Sequence, residues 1–164
     1  MLRVNSVIGI DPGNHSGVVV LSVGPSPKLL RWEKLNINGK KSPTPTRLVQ
    51  SILDEEDSLV VSAAIEDQYL AKSVKSMKVL TRTSGRWMEA FLSVGIPISW
   101  VTPSTWQSAV FGRSAKTRDQ YKLASVHLAK SETGIDLPVD VADAYCIGRY
   151  HAIQLHRASK CTPR

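Results

Sequence analysis

The stretch VIGIDPGNHSGVVVLS, residues 7–22, decides the fold. An apolar run of strand length ends in Asp11, a Pro-Gly turn follows, and a second apolar run returns, so residues 4–10 and 17–22 read as paired strands. A carboxylate at the end of an inner strand is costly to bury unless something pairs with it, and a metal ion is one such partner. Taken alone, Asp11 also has a plainer reading, because Asp before Pro commonly starts a turn.

Outward from that hairpin, KLLRWEKLNI (28–37) is a third strand, and NGKKSPTPT (38–46) is a loop introducing a short helix over 47–53. SLVVSAAIE (58–66) is an unbroken apolar run, as expected of a strand covered on both faces. A long helix over 72–94 closes near Gly95 and Pro97. ISWV (98–101) is a short strand, TPSTWQSAVFG leads into a helix over 116–131, and a last helix runs over 140–156. The expected fold is α/β: a central mixed five-stranded sheet, its first three strands antiparallel, flanked by helices. With no internal repeat and no linker, residues 1–158 read as a single domain and 159–164 as a flexible C-terminal tail.

The 164 residues suffice for a full-sized core without staples. Two cysteines are too few for a disulfide framework and fit a reducing compartment. The N-terminus meets an acid before any signal-type apolar run is complete, and no run approaches the roughly 20 residues of a membrane span. The expectation is a cytoplasmic protein, bacterial or from a phage-infected cell, with no membrane partner. Lys and Arg number 21 against 14 Asp and Glu, a formal +7, which is the footprint of a nucleic-acid partner.

Asp11 ends the first strand and Glu66 the fourth. If these strands are parallel neighbours, their carboxyl ends meet where open α/β sheets place ligands. Asp140 and Asp143, three apart, share a helical face that continues through Ile147 and Tyr150, so both acids point toward the sheet if that face packs on it. The competing reading is local: Asp140 as helix cap and Asp143 complementing the dipole. Four oxygen ligands from three elements, with no His or Cys cluster, suit Mg²⁺, with Mn²⁺ as substitute. Such cages typically hold two ions roughly 3.5–4 Å apart, clamping the attacking and leaving oxygens of a phosphodiester.

The long helix is divided. Lys72, Lys75, Lys78, Arg82 and Arg86 fall within an arc of roughly 120° at about 100° per residue, and no acid interrupts them. They read as a phosphate track, against the plainer possibility of a solvated face. Apolar and small residues, among them Val74, Met77, Ser84, Gly85, Trp87, Met88 and Phe91, take the other side. There Gly85 would allow close approach to the sheet or to a second copy of the helix. The four histidines show no ligand spacing, the four tryptophans read as core or interface, and Cys146 reads as core.

GIDPG on the first strand, AIEDQYLAK after the fourth and DVADAYCIGRYHA at the last helix together resemble the RuvC-type Holliday-junction resolvases of the RNase H-like superfamily, over nearly the whole chain. The resemblance implies an RNase H-like fold and assigns the family's four metal-binding acids to Asp11, Glu66, Asp140 and Asp143. It also implies a two-fold homodimer acting on branched DNA, a four-way junction, with paired nicks that leave 5′-phosphate and 3′-hydroxyl ends. Tyr69 falls where the family carries an aromatic that stacks on bases at the crossover. Gln107 stands where bacterial members usually carry a lysine, and a second auxiliary cation matches either Lys116 or Arg118. Those departures imply a phage-type or divergent member. The rival readings are a relaxed branched-DNA or flap nuclease, a junction-binding module that does not cut, and an actin-like ATP-binding protein. The last would need a second glycine-rich phosphate loop that the sequence lacks.

Overall fold

A computed structural model describes residues 3–39, 41–55, 57–67, 73–113 and 116–161. Five strands, β1 (Asn5–Asp11), β2 (His15–Ser22), β3 (Leu29–Asn36), β4 (Leu59–Glu66) and β5 (Ile98–Val101), form one sheet in the order β3-β2-β1-β4-β5. The first three pair antiparallel through short connections, whereas β4 and β5 join parallel to β1 and to each other. Helix α1 (Pro45–Glu55) precedes β4 and α2 (Val74–Leu92) precedes β5, as parallel neighbours require crossovers. Helices α3 (Pro103–Phe111), α4 (Arg118–Thr133) and α5 (Val139–Cys161) follow. The expected mixed sheet flanked by helices is therefore the observed one.

Because side chains alternate along a strand, each buried strand supplies both faces. Val7, Val19, Leu21 and Ala64 pack beneath α5, while Ile8, Ile10, Val18, Val20, Ala63 and Ile65 pack with residues of α1 and α2. On the α5 side two strand residues are glycines because the helix backbone lies directly on them. A Cβ at Gly9 would fall 2.5 Å from the Ala144 carbonyl oxygen, and one at Gly17 would fall 1.9 Å from that of Asp140. No other side chain fits either gap. The register of α5 is thereby fixed at its first turn and at mid-length.

Four details depart from expectation. α3 is a separate nine-residue helix where a connecting segment is expected. Its start is built by Thr102, whose side chain accepts a hydrogen bond from the Thr105 amide, with Pro103 leading the first turn. α5 begins at Val139, so Asp140 lies inside the first turn rather than capping it. That helix also continues through residues 159–161, which are expected in the tail. Gly85 approaches nothing: a Cβ there would meet no atom within 4 Å. Among the described residues no helix is long and apolar enough to cross a membrane.

The apolar side of α2 is two faces, not one. Thr83, Trp87, Ala90 and Phe91 are buried against the sheet. Val74, Met77, Met88 and Leu92 are 71%, 51%, 40% and 62% exposed. At about 100° per residue these sets and the basic ridge fall in three separate arcs, roughly 60–100° wide. Periodicity alone gives a buried and an exposed apolar stripe the same signature.

Candidate functional site

Along β1, Val7, Gly9 and Asp11 share the α5 side of the sheet, and along β4, Ser62, Ala64 and Glu66 do the same. The parallel pairing of the two strands sets Ile10 beside Ile65, so Asp11 and Glu66 end their strands at the same edge. The close approach of α5 at Gly17 brings its first turn over that edge. Asp11, Glu66, Asp140 and Asp143 consequently line one cavity of about 1070 Å³, together with Lys75, Gln107, Arg118 and Lys122.

The acids repel one another in a poorly hydrated place. The Asp11 carboxyl is pushed well above the ordinary aspartate range, first by burial and then by the charges of Glu66, Asp143 and Asp140, with Lys122 opposing. Burial likewise raises Asp143 to about 6. The Ser125 hydroxyl, Lys122 and Arg118 hold that value down and Asp140 adds to it. Ser125 is fully buried next to Asp143, although its Oγ makes no well-formed hydrogen bond among the described residues.

Two acids have other partners. Lys34 Nζ on β3 lies 3.0 Å from Asp140 Oδ2, and the Trp106 indole Nε1 donates to Glu66 Oε1 at 2.9 Å. No three His, Cys, Asp or Glu side chains among the described residues close round a single point as metal ligands do. Lys34 and Trp106 hold Asp140 and Glu66 on separate donors by the two contacts just described. Beneath Asp11, Ser16 Oγ donates to the Gly13 carbonyl at 2.9 Å and accepts from Trp87 Nε1 at 3.1 Å, tying the β1–β2 turn to α2.

Of the two cations left open by the sequence, Arg118 lines the cavity, whereas Lys116 lies over the Tyr121 ring, 5.9 Å from its centroid. A capping box at Thr117 and Gln120 starts α4 and turns Arg118 and Lys122, one turn apart, toward the acids. On α2, Lys75 reaches the cavity, Lys78 and Arg82 are exposed, and Arg86 bonds the Ile37 carbonyl at 3.4 Å. Tyr69 and Lys72 lie outside the described residues. The expected site set omits Lys122, Trp106 and Lys34. Lys122 has one legible signal, its i, i+4 spacing from Arg118; the indole and the β3 lysine carry none.

Comparison with known proteins bears on this arrangement. The family model described as crossover junction endodeoxyribonuclease RuvC matches residues 7–151. The crossover junction endodeoxyribonuclease RuvC of Chlorobium phaeovibrioides is 29% identical over 146 residues, covering 84% of this chain and 76% of the relative. Thermus thermophilus RuvC in complex with Holliday junction substrate superposes with a TM-score of 0.74 at 21% identity, covering 94% of this chain and 96% of that one. A yeast mitochondrial Holliday junction resolvase gives 0.58 at 14% identity, covering 97% and 84%. At these identities the structural likeness speaks for the fold.

Proposed function

Since the chain belongs to the RuvC family of crossover junction endodeoxyribonucleases, we propose that it is a structure-selective endonuclease that resolves four-way DNA junctions by divalent-cation-dependent phosphodiester hydrolysis. The observation that carries this reading is the meeting of four carboxylates, from β1, β4 and α5, in one cavity where burial and the neighbouring charges disfavour the ionised forms of Asp11 and Asp143. An all-oxygen donor set strained in that way fits Mg²⁺, with Mn²⁺ as substitute, because a divalent cation relieves both penalties together.

Asp11, Glu66, Asp140 and Asp143 would hold the metal, two ions being the number that four carboxylates suit. Bound there, it would supply Lewis acidity toward the phosphate and a water nucleophile available at neutral pH. The chain's own residues do the rest. Trp106 fixes the Glu66 carboxylate through its indole N–H, and the Gly17 contact holds the first turn of α5 in register. Arg118 carries positive charge at the cavity wall, where it would offset charge building on the transferring phosphoryl group. Hydrolysis breaks the bond from phosphorus to the 3′ oxygen, which leaves as the 3′-hydroxyl, while the water oxygen remains on the 5′-phosphate.

Two surfaces of α2 support the partners we assign. The ridge of Lys75, Lys78, Arg82 and Arg86, with Lys72 and Tyr69 leading into it in sequence, forms a phosphate track, each neutralised phosphate adding about 0.9 to the salt slope of binding. The exposed stripe of Val74, Met77, Met88 and Leu92 suits a second copy of the chain, giving a homodimer with two cutting sites. We take residues 1–158 as the nuclease domain and the cytoplasm, where free thiols such as Cys146 and Cys161 persist, as its setting.

Matched four-way junction, fork, flap and duplex substrates in Mg²⁺ test the assignment. Paired symmetric nicks confined to the junction are expected. Equal cutting of forks and flaps would make it a relaxed nuclease, and binding without cutting in either Mg²⁺ or Mn²⁺ would make it a recognition module.

A further inference from the structure

We infer that Lys122 is a catalytic cation, its ammonium placed to contact the non-bridging oxygens of the scissile phosphate in a cavity whose α3 wall is neutral at Gln107. This rests on the nuclease reading and deepens it.

Three observations converge on Lys122. It projects from the second turn of α4 into the cavity that Asp11, Asp143 and Gln107 also line. Its charge acts on both Asp11 and Asp143, carboxylates from different elements, whereas Arg118 acts on Asp143 and is the more exposed of the two. Lys122 nevertheless makes no ion pair within 4.0 Å among the described residues, while Lys34 is committed to Asp140 at 3.0 Å. A half-buried ammonium in sight of two carboxylates, yet bonded to neither, remains available to a third anion entering between them.

The chemistry gives that anion an identity. A phosphodiester approaching four carboxylates meets like charge. Its transition state carries still more negative charge on the equatorial oxygens. A fixed cation inside the cavity acts at lower effective dielectric than one on the rim, so it favours the transition state over the bound substrate. Lys122 transfers no proton in this role: water supplies the attacking oxygen, the 3′ oxygen departs and takes up a proton, and the ammonium contributes charge alone.

Single-turnover cleavage of a synthetic four-way junction at saturating Mg²⁺, alongside junction affinity in EDTA, tests the inference. Lys122→Gln should lower the cleavage rate about 10²-fold, the usual scale for one transition-state donor, while affinity falls by less than tenfold. Lys122→Arg should keep most of the rate. Adding Gln107→Lys to Lys122→Gln should restore at least tenfold, because both positions line the same cavity. A Lys122→Gln rate within threefold of the parent would overturn the inference. So would a lower Mg²⁺ requirement with an unchanged saturated rate, the mark of a lysine that merely screens the acids. If Lys122→Gln does not fold, Lys122→Met takes its place with the same expected loss, and a Lys122→Met rate within threefold of the parent would overturn the inference. A parent protein that cuts no junction would sink the nuclease reading itself, a different result from a parent that cuts and a variant that cuts equally well.

Discussion

The two long helices lie on opposite faces of one sheet and are held there by different means. α5 rests backbone to backbone on Gly9 and Gly17, and Val141, Ala142 and residues 144–148 are buried. α2 docks through four buried residues in its second half, while residues 74–78 are exposed on every side. Side-chain packing tolerates small shifts, but a helix carbonyl seated where a Cβ would be cannot slide. Carboxylates that must meet others to within an ångström or so belong on the first kind of helix. A surface that must accept DNA or another subunit belongs on the second.

The largest effect should come from the acids that α5 helps to gather. Asp11→Asn should lower junction cleavage on the order of 10³-fold, roughly 4 kcal/mol at the transition state. The same change should raise the metal-free melting temperature, since it removes a buried charge facing three others. Parallel cleavage and melting measurements check both halves, and a matched loss of stability would contradict the site.

Next come the glycines of the two helix faces. Gly17→Ala forces a methyl group into the Asp140 carbonyl and should cost about 3 kcal/mol by denaturant unfolding, with lost activity, because the register of Asp140 and Asp143 depends on that contact. Gly85→Ala places a methyl in open space within α2 and should stabilise by about 0.5–1 kcal/mol. Equal responses would erase the distinction between the helices.

Much of this is legible in the sequence. β1 and β4 announce themselves as apolar runs ending in acids, and Asp140 with Asp143 heads an apolar helical stripe, so convergence follows from strand alternation and parallel pairing. α3 is not legible because it is short and buries only Trp106 fully, leaving no stripe to read. The split of the apolar side of α2 is hidden because hydrophobicity does not say what covers it. Lys122 looks like one more surface lysine, and only the fold shows the acids opposite it. The Trp106 bond to Glu66 joins residues 40 apart in sequence, which no local pattern encodes.

The exposed stripe of α2 gives the third test. Met77→Asp should leave circular dichroism and melting nearly unchanged but weaken self-association by tenfold to a hundredfold in sedimentation, the scale of about 1.5–3 kcal/mol for one buried methionine. A parent that sediments as a monomer at all concentrations would rule out the dimer.

The last expected effect is a dependence on pH. The Asp143 carboxyl is raised from 3.8 to about 6 in the folded chain, so the folded state binds a proton more readily than the unfolded state between those values. Stability from this group is fully present below about pH 4 and is lost as pH rises through about 6, a change on the order of 2 kcal/mol, with Asp11 acting in the same direction. Metal-free unfolding followed from pH 7 to 4 should therefore show rising stability, and Mg²⁺ should flatten the trend by stabilising the ionised acids at pH 7.

The most direct test of the central claim is anomalous diffraction at the manganese edge from crystals grown with Mn²⁺. Peaks among Asp11, Glu66, Asp140 and Asp143, with Asp140 released from Lys34, are the predicted result. An empty acid cavity at millimolar Mn²⁺, or manganese bound only elsewhere, would contradict it.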